Sequence, residues 1–211
     1  METRREIRYR MLLDRVAVLR AIRDGIVCLR WVQGGARAPF PPAMKRALLQ
    51  DLSEKYGVDL LVETGTYLGD TSAHMARSFR LVHTIEAARE LFDVVAPRFA
   101  KIPNVRRYFG DSGSVLSTIL PLLDGPALFW LDAHVQGFAQ EGSLNPILRE
   151  VMTIGADTRF NHILAIDDMR LFGSAQEYPT IEDLREVVIR TGRRHHLTIA
   201  ADIGIVRFES A

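Results

Sequence analysis

Only one cysteine, Cys28, occurs in the 211 residues. An internal disulfide is therefore excluded and a reducing cytoplasm is the expected location; the thiol itself reads as a small buried hydrophobe. Long apolar runs are also missing. None approaches the roughly 20 residues that span a bilayer, and the charged start has no signal-peptide core, so no membrane partner is expected. Charge of one sign is lacking too: 27 Lys and Arg stand against 26 Asp and Glu, a net charge of +1. A nucleic-acid binder usually shows a strong basic bias, which argues against that partner. Finally, there is neither a G-x-x-x-x-G-K-[ST] phosphate loop nor a G-x-G-x-x-G run, which argues against nucleoside triphosphates and nicotinamide dinucleotides.

What is present suits one globular domain with an extension, since 47% of the chain is hydrophobic and 25% charged. The first 30 residues hold eight Arg against four acids, and Leu12, Val16, Leu19 and Ile22 recur at helical spacing. An amphipathic helix is expected from Glu2 to about Arg23, packing on the domain or on a second subunit, as in a homodimer. The run Gly34 to Pro42 breaks the chain. Residues 1–42 thus read as helical extension and linker, and 43–211 as the domain.

Within the domain, Ala43 to Tyr56 reads as a helix ending at Gly57. Strands are expected at Leu60–Glu63, Leu81–Glu86, Val105–Phe109, Ala127–Leu131, His162–Asp167, His196–Ala201 and Ile203–Glu209. Helical stretches are expected at Thr71–Phe79, Ala88–Phe99, Val115–Leu120 and Asn145–Gly155. Short parallel strands joined by helices imply a doubly wound, Rossmann-like α/β sheet of seven strands. The final hairpin around Asp202 makes the last strand antiparallel.

The chain is organised around Leu60 to Ser72. A short apolar run ends in Glu63, Gly65 and Gly69 carry a tight turn, and Asp70, Thr71 and Ser72 supply oxygens where a helix begins. Taken alone, such a turn is compatible with an ordinary strand, bend and helix. Yet nearly every parallel strand ends in an acid: Glu63, Glu86, Asp111, Asp132, then Asp167 with Asp168. Each alone is an ordinary cap or loop acid; six on the carboxyl edge of one sheet suggest a ligand. Glu86 follows Gly65 by 21 positions, where an acid accepts ribose hydroxyls. An adenosine ligand carrying positive charge, such as S-adenosylmethionine, suits these acids.

On these motifs the chain resembles the class I S-adenosylmethionine-dependent methyltransferases, and among them the metal-dependent small-molecule O-methyltransferases of the catechol and macrolide-sugar type. The motifs are Glu63-Thr64-Gly65-Thr66-Tyr67-Leu68-Gly69, Thr84-Ile85-Glu86, Gly110-Asp111-Ser112, Phe129-Trp130-Leu131-Asp132 and Ala165-Ile166-Asp167-Asp168. Tyr67, in place of the usual middle glycine, is itself a feature of the catechol-like branch. The resemblance implies that Glu63 and the loop Thr64, Gly65, Thr66, Tyr67 and Gly69 hold the methionine part, with Thr71 and Ser72 at the helix start. It further implies Glu86 on the ribose, Asp111 and Ser112 on the adenine edge, and Asp132, Asp167 and Asp168 around Mg²⁺.

The catechol-type lysine that follows the strand-four acid is absent from Asp132-Ala133-His134-Val135-Gln136. His134 is then the nearest candidate base, with Asp132 beside it; a loop histidine that packs or ligates is the alternative. Met169 to Phe172 are expected to form the other wall of the substrate site, with Arg170 meeting an anionic substrate; Leu171 and Phe172 as core residues are the alternative. The function expected is Mg²⁺-assisted O-methylation of a hydroxylated small molecule. The alternatives are a non-catalytic cofactor-binding module, or a methyltransferase acting on nitrogen or nucleic acid.

Overall fold

A computed structural model describes residues 17–132, 146–175, 177–200 and 202–209. Helix α1 (Ala17–Gln33) leads to α2 (Pro42–Tyr56), and α2 to β1 (Leu60–Thr64) and α3 (Asp70–Met75). Next come β2 (Leu81–Glu86), the short α4 (Arg89–Val94) and α5 (Ala96–Phe99), β3 (Val105–Phe109) and α6 (Ser112–Ile119). The chain closes with β4 (Ala127–Leu131), α7 (Ile147–Gly155), β5 (Ile163–Ile166), α8 (Ile181–Arg190), β6 (His195–Ala200) and β7 (Ile203–Phe208).

The strands form one sheet in the order β3-β2-β1-β4-β5-β7-β6. β1 to β5 are parallel, and β7 runs antiparallel to both β5 and β6. All five residues of β1 and of β4 are buried, as strands covered on both faces must be. Alternate side chains feed two cores. Leu60, Val62, Phe129, Leu131 and Leu164 pack on α6, α7 and α8, while Leu61, Leu128, Trp130 and Ala165 pack on α2, α3 and Phe99.

Three expectations need correction. The helix expected to end near Arg23 continues to Gln33, because apolar residues recur through Ile26, Leu29 and Val32 and a single glycine, Gly25, costs only about 1 kcal/mol. The helix expected over Ala88–Phe99 is broken at Val95, where Pro97 has no N–H to continue the ladder. The helix after the glycine turn is six residues long, giving way to turns before Phe79. One element escaped the sequence reading altogether: α8 begins with a capping box in which Thr180 and Asp183 satisfy each other's backbone N–H.

Helix α2 matters for the site because it runs back against the sheet. It ends in Gly57, in the left-handed region at φ 63°, and turns directly into β1. Its first turn therefore lies over the carboxyl ends of the strands, and Leu49 and Leu52 hold it in the core.

Candidate functional site

The carboxyl edge divides at β1. On its β2 side, Gly65, Tyr67 and Gly69 all take positive φ, at 87°, 47° and 71°. Tyr67 is a non-glycine in a region that costs roughly 1 kcal/mol or more. What holds it there is Glu86, whose Oε2 accepts the Tyr67 N–H at 2.8 Å while Oε1 accepts the Ala88 N–H at 2.8 Å. Gly65 and Thr66 donate their N–H groups to the Ile85 carbonyl at 3.0 Å each. Arg98 clamps the loop's far side, donating to the Leu68 carbonyl at 2.8 Å and pairing with Asp70 at 2.8 Å. A side chain at Gly69 would fall on the Phe99 ring.

Glu63 lies beneath this loop, 2% exposed. Its Oε2 accepts hydrogen bonds from the Ser72 hydroxyl and, at 2.7 Å, from the Thr84 hydroxyl, and Thr71 adds a third hydroxyl. No cation pairs with it among the described residues. Burial raises its carboxyl to about 7, against the pull of those hydroxyls. Burial likewise pushes Glu86 up, opposed by its backbone N–H donors. Both acids are desolvated carboxyls that a positively charged or hydroxyl-bearing ligand would favour.

The two residues expected at the adenine edge follow β3. Asp111 caps α6, accepting the Ser114 N–H at 3.0 Å, and both its oxygens accept from Arg149 at 2.7 Å. Ser112 is buried next to Glu150, a fully buried acid raised to about 7 by burial. Among the described residues neither Glu150 oxygen meets strict hydrogen-bond geometry, but the nearby Ser112 and Thr64 hydroxyls pull its carboxyl down against burial.

On the β4–β5 side, carboxylate oxygens of Asp132, Asp167 and Asp168, one from each, lie within 4.8 Å of one another. The chain builds this cluster deliberately. The Asp132 N–H donates to the Thr64 carbonyl at 3.1 Å, Asp167 N–H to Leu131 at 3.0 Å, and Asp168 N–H to Asp167 Oδ1 at 2.8 Å. Asp168 sits in the left-handed region at φ 59°, which turns its carboxylate back toward its neighbour. Three carboxylates at this spacing match the oxygen-only donor set of Mg²⁺.

Two cations meet the same acids. Lys45, from the first turn of α2, donates to Asp167 Oδ2. Burial pulls the Lys45 ammonium down, but Asp167, with Asp132 and Asp168, outweighs it and the net shift is upward. Arg170 pairs with both Asp168 and the fully buried Asp202. It is thus engaged within the protein, where the sequence suggested it for a substrate anion. Tyr178, packed on Phe172 at 5.7 Å between ring centroids, faces the cluster; burial and then Asp168, Asp132 and Asp167 raise its hydroxyl. His134 and the rest of residues 133–145 lie outside the described residues.

The sequence therefore placed Glu63, Thr64, Gly65, Thr66, Tyr67, Gly69, Thr71, Ser72, Glu86, Asp111, Ser112, Asp132, Asp167 and Asp168 on one edge, and the structure brings them there. Lys45, Asp202 and Arg149 were missed. Lys45 and Asp167 are 122 positions apart, and no local pattern marks such a pair. An open depression at the opposite, amino edge, lined by Tyr56, Val58, Pro126, Arg159 and Arg207, holds none of these acids.

Solved structures share this architecture. The O-methyltransferase TomG of Streptomyces achromogenes, involved in tomaymycin synthesis and determined with S-adenosylmethionine, is 20% identical, with a TM-score of 0.55 covering 82% of each chain. The O-methyltransferase of Bacillus cereus, determined with S-adenosylhomocysteine, is 16% identical, with a TM-score of 0.56 covering 85% of this chain and 87% of its own. The chain has the class I methyltransferase fold. A TehB-like S-adenosylmethionine-dependent methyltransferase of Corynebacterium glutamicum adds a TM-score of 0.51 at 13% identity, covering 90% of this chain and all of its own. No protein-family model matches the chain, and no curated protein matches it. At such identities the likeness is one of fold, and function rests on the site itself.

Proposed function

We propose that this protein is an S-adenosylmethionine-dependent O-methyltransferase acting on a hydroxylated small molecule, a sugar or secondary metabolite, with Mg²⁺ at Asp132, Asp167 and Asp168. One observation carries the reading: a desolvated acid pair, Glu63 and Glu86, and a three-carboxylate cluster occupy neighbouring halves of a single strand edge.

In this reading Glu63, oriented by Ser72, Thr71 and Thr84, meets the amino group of the methionine part, and the loop Gly65 to Gly69 wraps it. Glu86 retains acceptor capacity on both oxygens for the ribose hydroxyls. Asp111 and Ser112 lie along the adenine edge. Methyl transfer forms one carbon–oxygen bond as the sulfonium leaves as a neutral thioether, so the protein's tasks are alignment and removal of the hydroxyl proton. Mg²⁺ at the three carboxylates would lower the pKa of a hydroxyl bound to it and orient that hydroxyl. Tyr178, backed by the buried Phe172, forms one wall of the substrate mouth, and His134 is the base assigned from the sequence.

Residues 1–42 are assigned to an extension and 43–211 to the cofactor-binding domain. Leu19, Ile22, Ile26 and Leu29 are exposed along α1 at intervals of three and four, a seam suited to a second copy of the chain. The single cysteine suggests the cytoplasm, and no described helix is long and apolar enough to cross a membrane. The reading is tested by incubating the chain with S-adenosylmethionine, Mg²⁺ and a pool of hydroxylated metabolites. A product heavier by one methyl, lost with chelator, is expected; transfer to nitrogen, or activity that survives chelation and Asp167→Ala, would contradict it.

A further inference from the structure

The acid cluster carries a cation of its own. Lys45 donates to Asp167 Oδ2, and its ammonium also stands 5.9 Å from the centroid of the Trp130 ring, with only 18% of the side chain exposed. The placement is built into the fold. Pro42 opens α2, buried Leu49 and Leu52 anchor it, and the neighbouring Arg46, 4% exposed, is locked to Asp24 of α1. Lys45 is thus presented to the carboxyl edge from a fixed helix, while Arg170 is held on the other flank by Asp168 and Asp202.

The two cations differ in what they serve. Arg170 bridges the cluster to Asp202 and also donates its backbone N–H to Asp202 Oδ1 at 2.9 Å, so it belongs to the scaffold between β5 and β7. Among the described residues the acids that meet Lys45 all belong to the cluster, and its flexible four-carbon stem allows withdrawal without moving α2. Three carboxylates gathered within 4.8 Å repel one another unless a cation stands among them. An ammonium supplies that charge from within the chain, and a divalent ion would supply more of it from solution.

We propose that Lys45 is a tethered competitor for the divalent cation: its ammonium occupies Asp167 and neutralises the cluster until a metal ion displaces it. This rests on the metal reading given above. It makes metal affinity a property of α2 as well as of the three ligands, and it implies weaker uptake than the bare carboxylates would give.

The test is a calorimetric titration of the full chain with Mn²⁺ or Mg²⁺ alone, comparing wild type, Lys45→Met and Lys45→Arg, with S-adenosylhomocysteine binding measured in parallel. Removing one opposing charge is expected to tighten metal binding by roughly tenfold in Lys45→Met, whereas Lys45→Arg stays at wild-type affinity or weaker. Should Lys45→Met fail to melt cooperatively, Lys45→Gln carries the same expectation. Equal or weaker metal binding in the neutral variants overturns the proposal. If no variant takes up metal while S-adenosylhomocysteine still binds, the metal reading falls and this proposal with it. If S-adenosylhomocysteine does not bind but the neutral variants still tighten metal binding, the cofactor reading alone fails.

Discussion

The two halves of the carboxyl edge use the same residue types in opposite electrostatic settings. Glu63 and Glu86 are buried among hydroxyls and backbone N–H groups, with burial raising both. Asp167 and Asp168 are equally buried, yet each is met by a cation, Lys45 or Arg170. Hydroxyls and amides orient a carboxylate without cancelling its charge, so the first half is left to be completed by a charged ligand. The second is already partly neutralised, and anything that binds there must compete.

Breaking each half should therefore produce different failures. The largest expected effect is on the cofactor side. Glu63→Ala removes the charge that meets the ligand's amino group and leaves Ser72 and Thr84 without their acceptor. The Kd for S-adenosylhomocysteine should rise about 100-fold, given the 1.5–3 kcal/mol typical of bonds to charged groups; a change below about threefold would show that Glu63 does not face the ligand.

On the other half, Asp167→Asn leaves the Lys45 ammonium partly buried beside a neutral partner. A thermal melt without metal should show a loss of roughly 2 kcal/mol, discounted from fully buried pairs because Lys45 retains some exposure. Cofactor binding should change little, and a large loss of it would mean that the halves are not separable. Gly69→Ala places a side chain on Phe99 while keeping φ at 71°, and should destabilise the cofactor half by about 2 kcal/mol in the same melt.

The smallest effect is on proton balance. The Glu63 carboxyl moves from an ordinary 4.5 to about 7 in the fold, and Glu150 behaves alike. Between those values the folded chain holds more protons than the unfolded one, so stability falls as pH rises through the window and the loss is complete above about 7. A ligand ammonium at Glu63 favours the ionised form, so binding near pH 6 should release up to about one proton. Calorimetry in buffers of different ionisation heat reads that release, and Glu63→Gln should abolish it.

Much of this edge was legible because a strand buried on both faces, as Ala127–Leu131 is, reads as a continuous apolar run that stops at a polar residue. Leu81–Glu86, Val105–Phe109 and Ala127–Leu131 appear at their expected bounds, and the acids that end strands stay on the edge whatever the loops do. Less legible was whatever depends on packing between distant segments. Lys45 reaches Asp167 because α2 runs antiparallel to β1, a fact of topology that no spacing in the chain encodes. Arg170 stood two residues from an acid pair and was read toward an anionic substrate, since Asp202, the buried acid that captures it, comes from the far hairpin. The Thr180–Asp183 capping box was readable locally and marks the start of the overlooked α8.

The most direct test of the account is a calorimetric titration of the full chain with S-adenosylhomocysteine, with and without Mg²⁺. One-to-one binding that persists when metal is chelated, and that Glu63→Ala removes while Asp167→Asn leaves it in place, is the predicted result. No heat at millimolar ligand, or binding lost with Asp167→Asn and untouched by Glu63→Ala, would contradict the assignment of the β1–β2 half to the methyl donor.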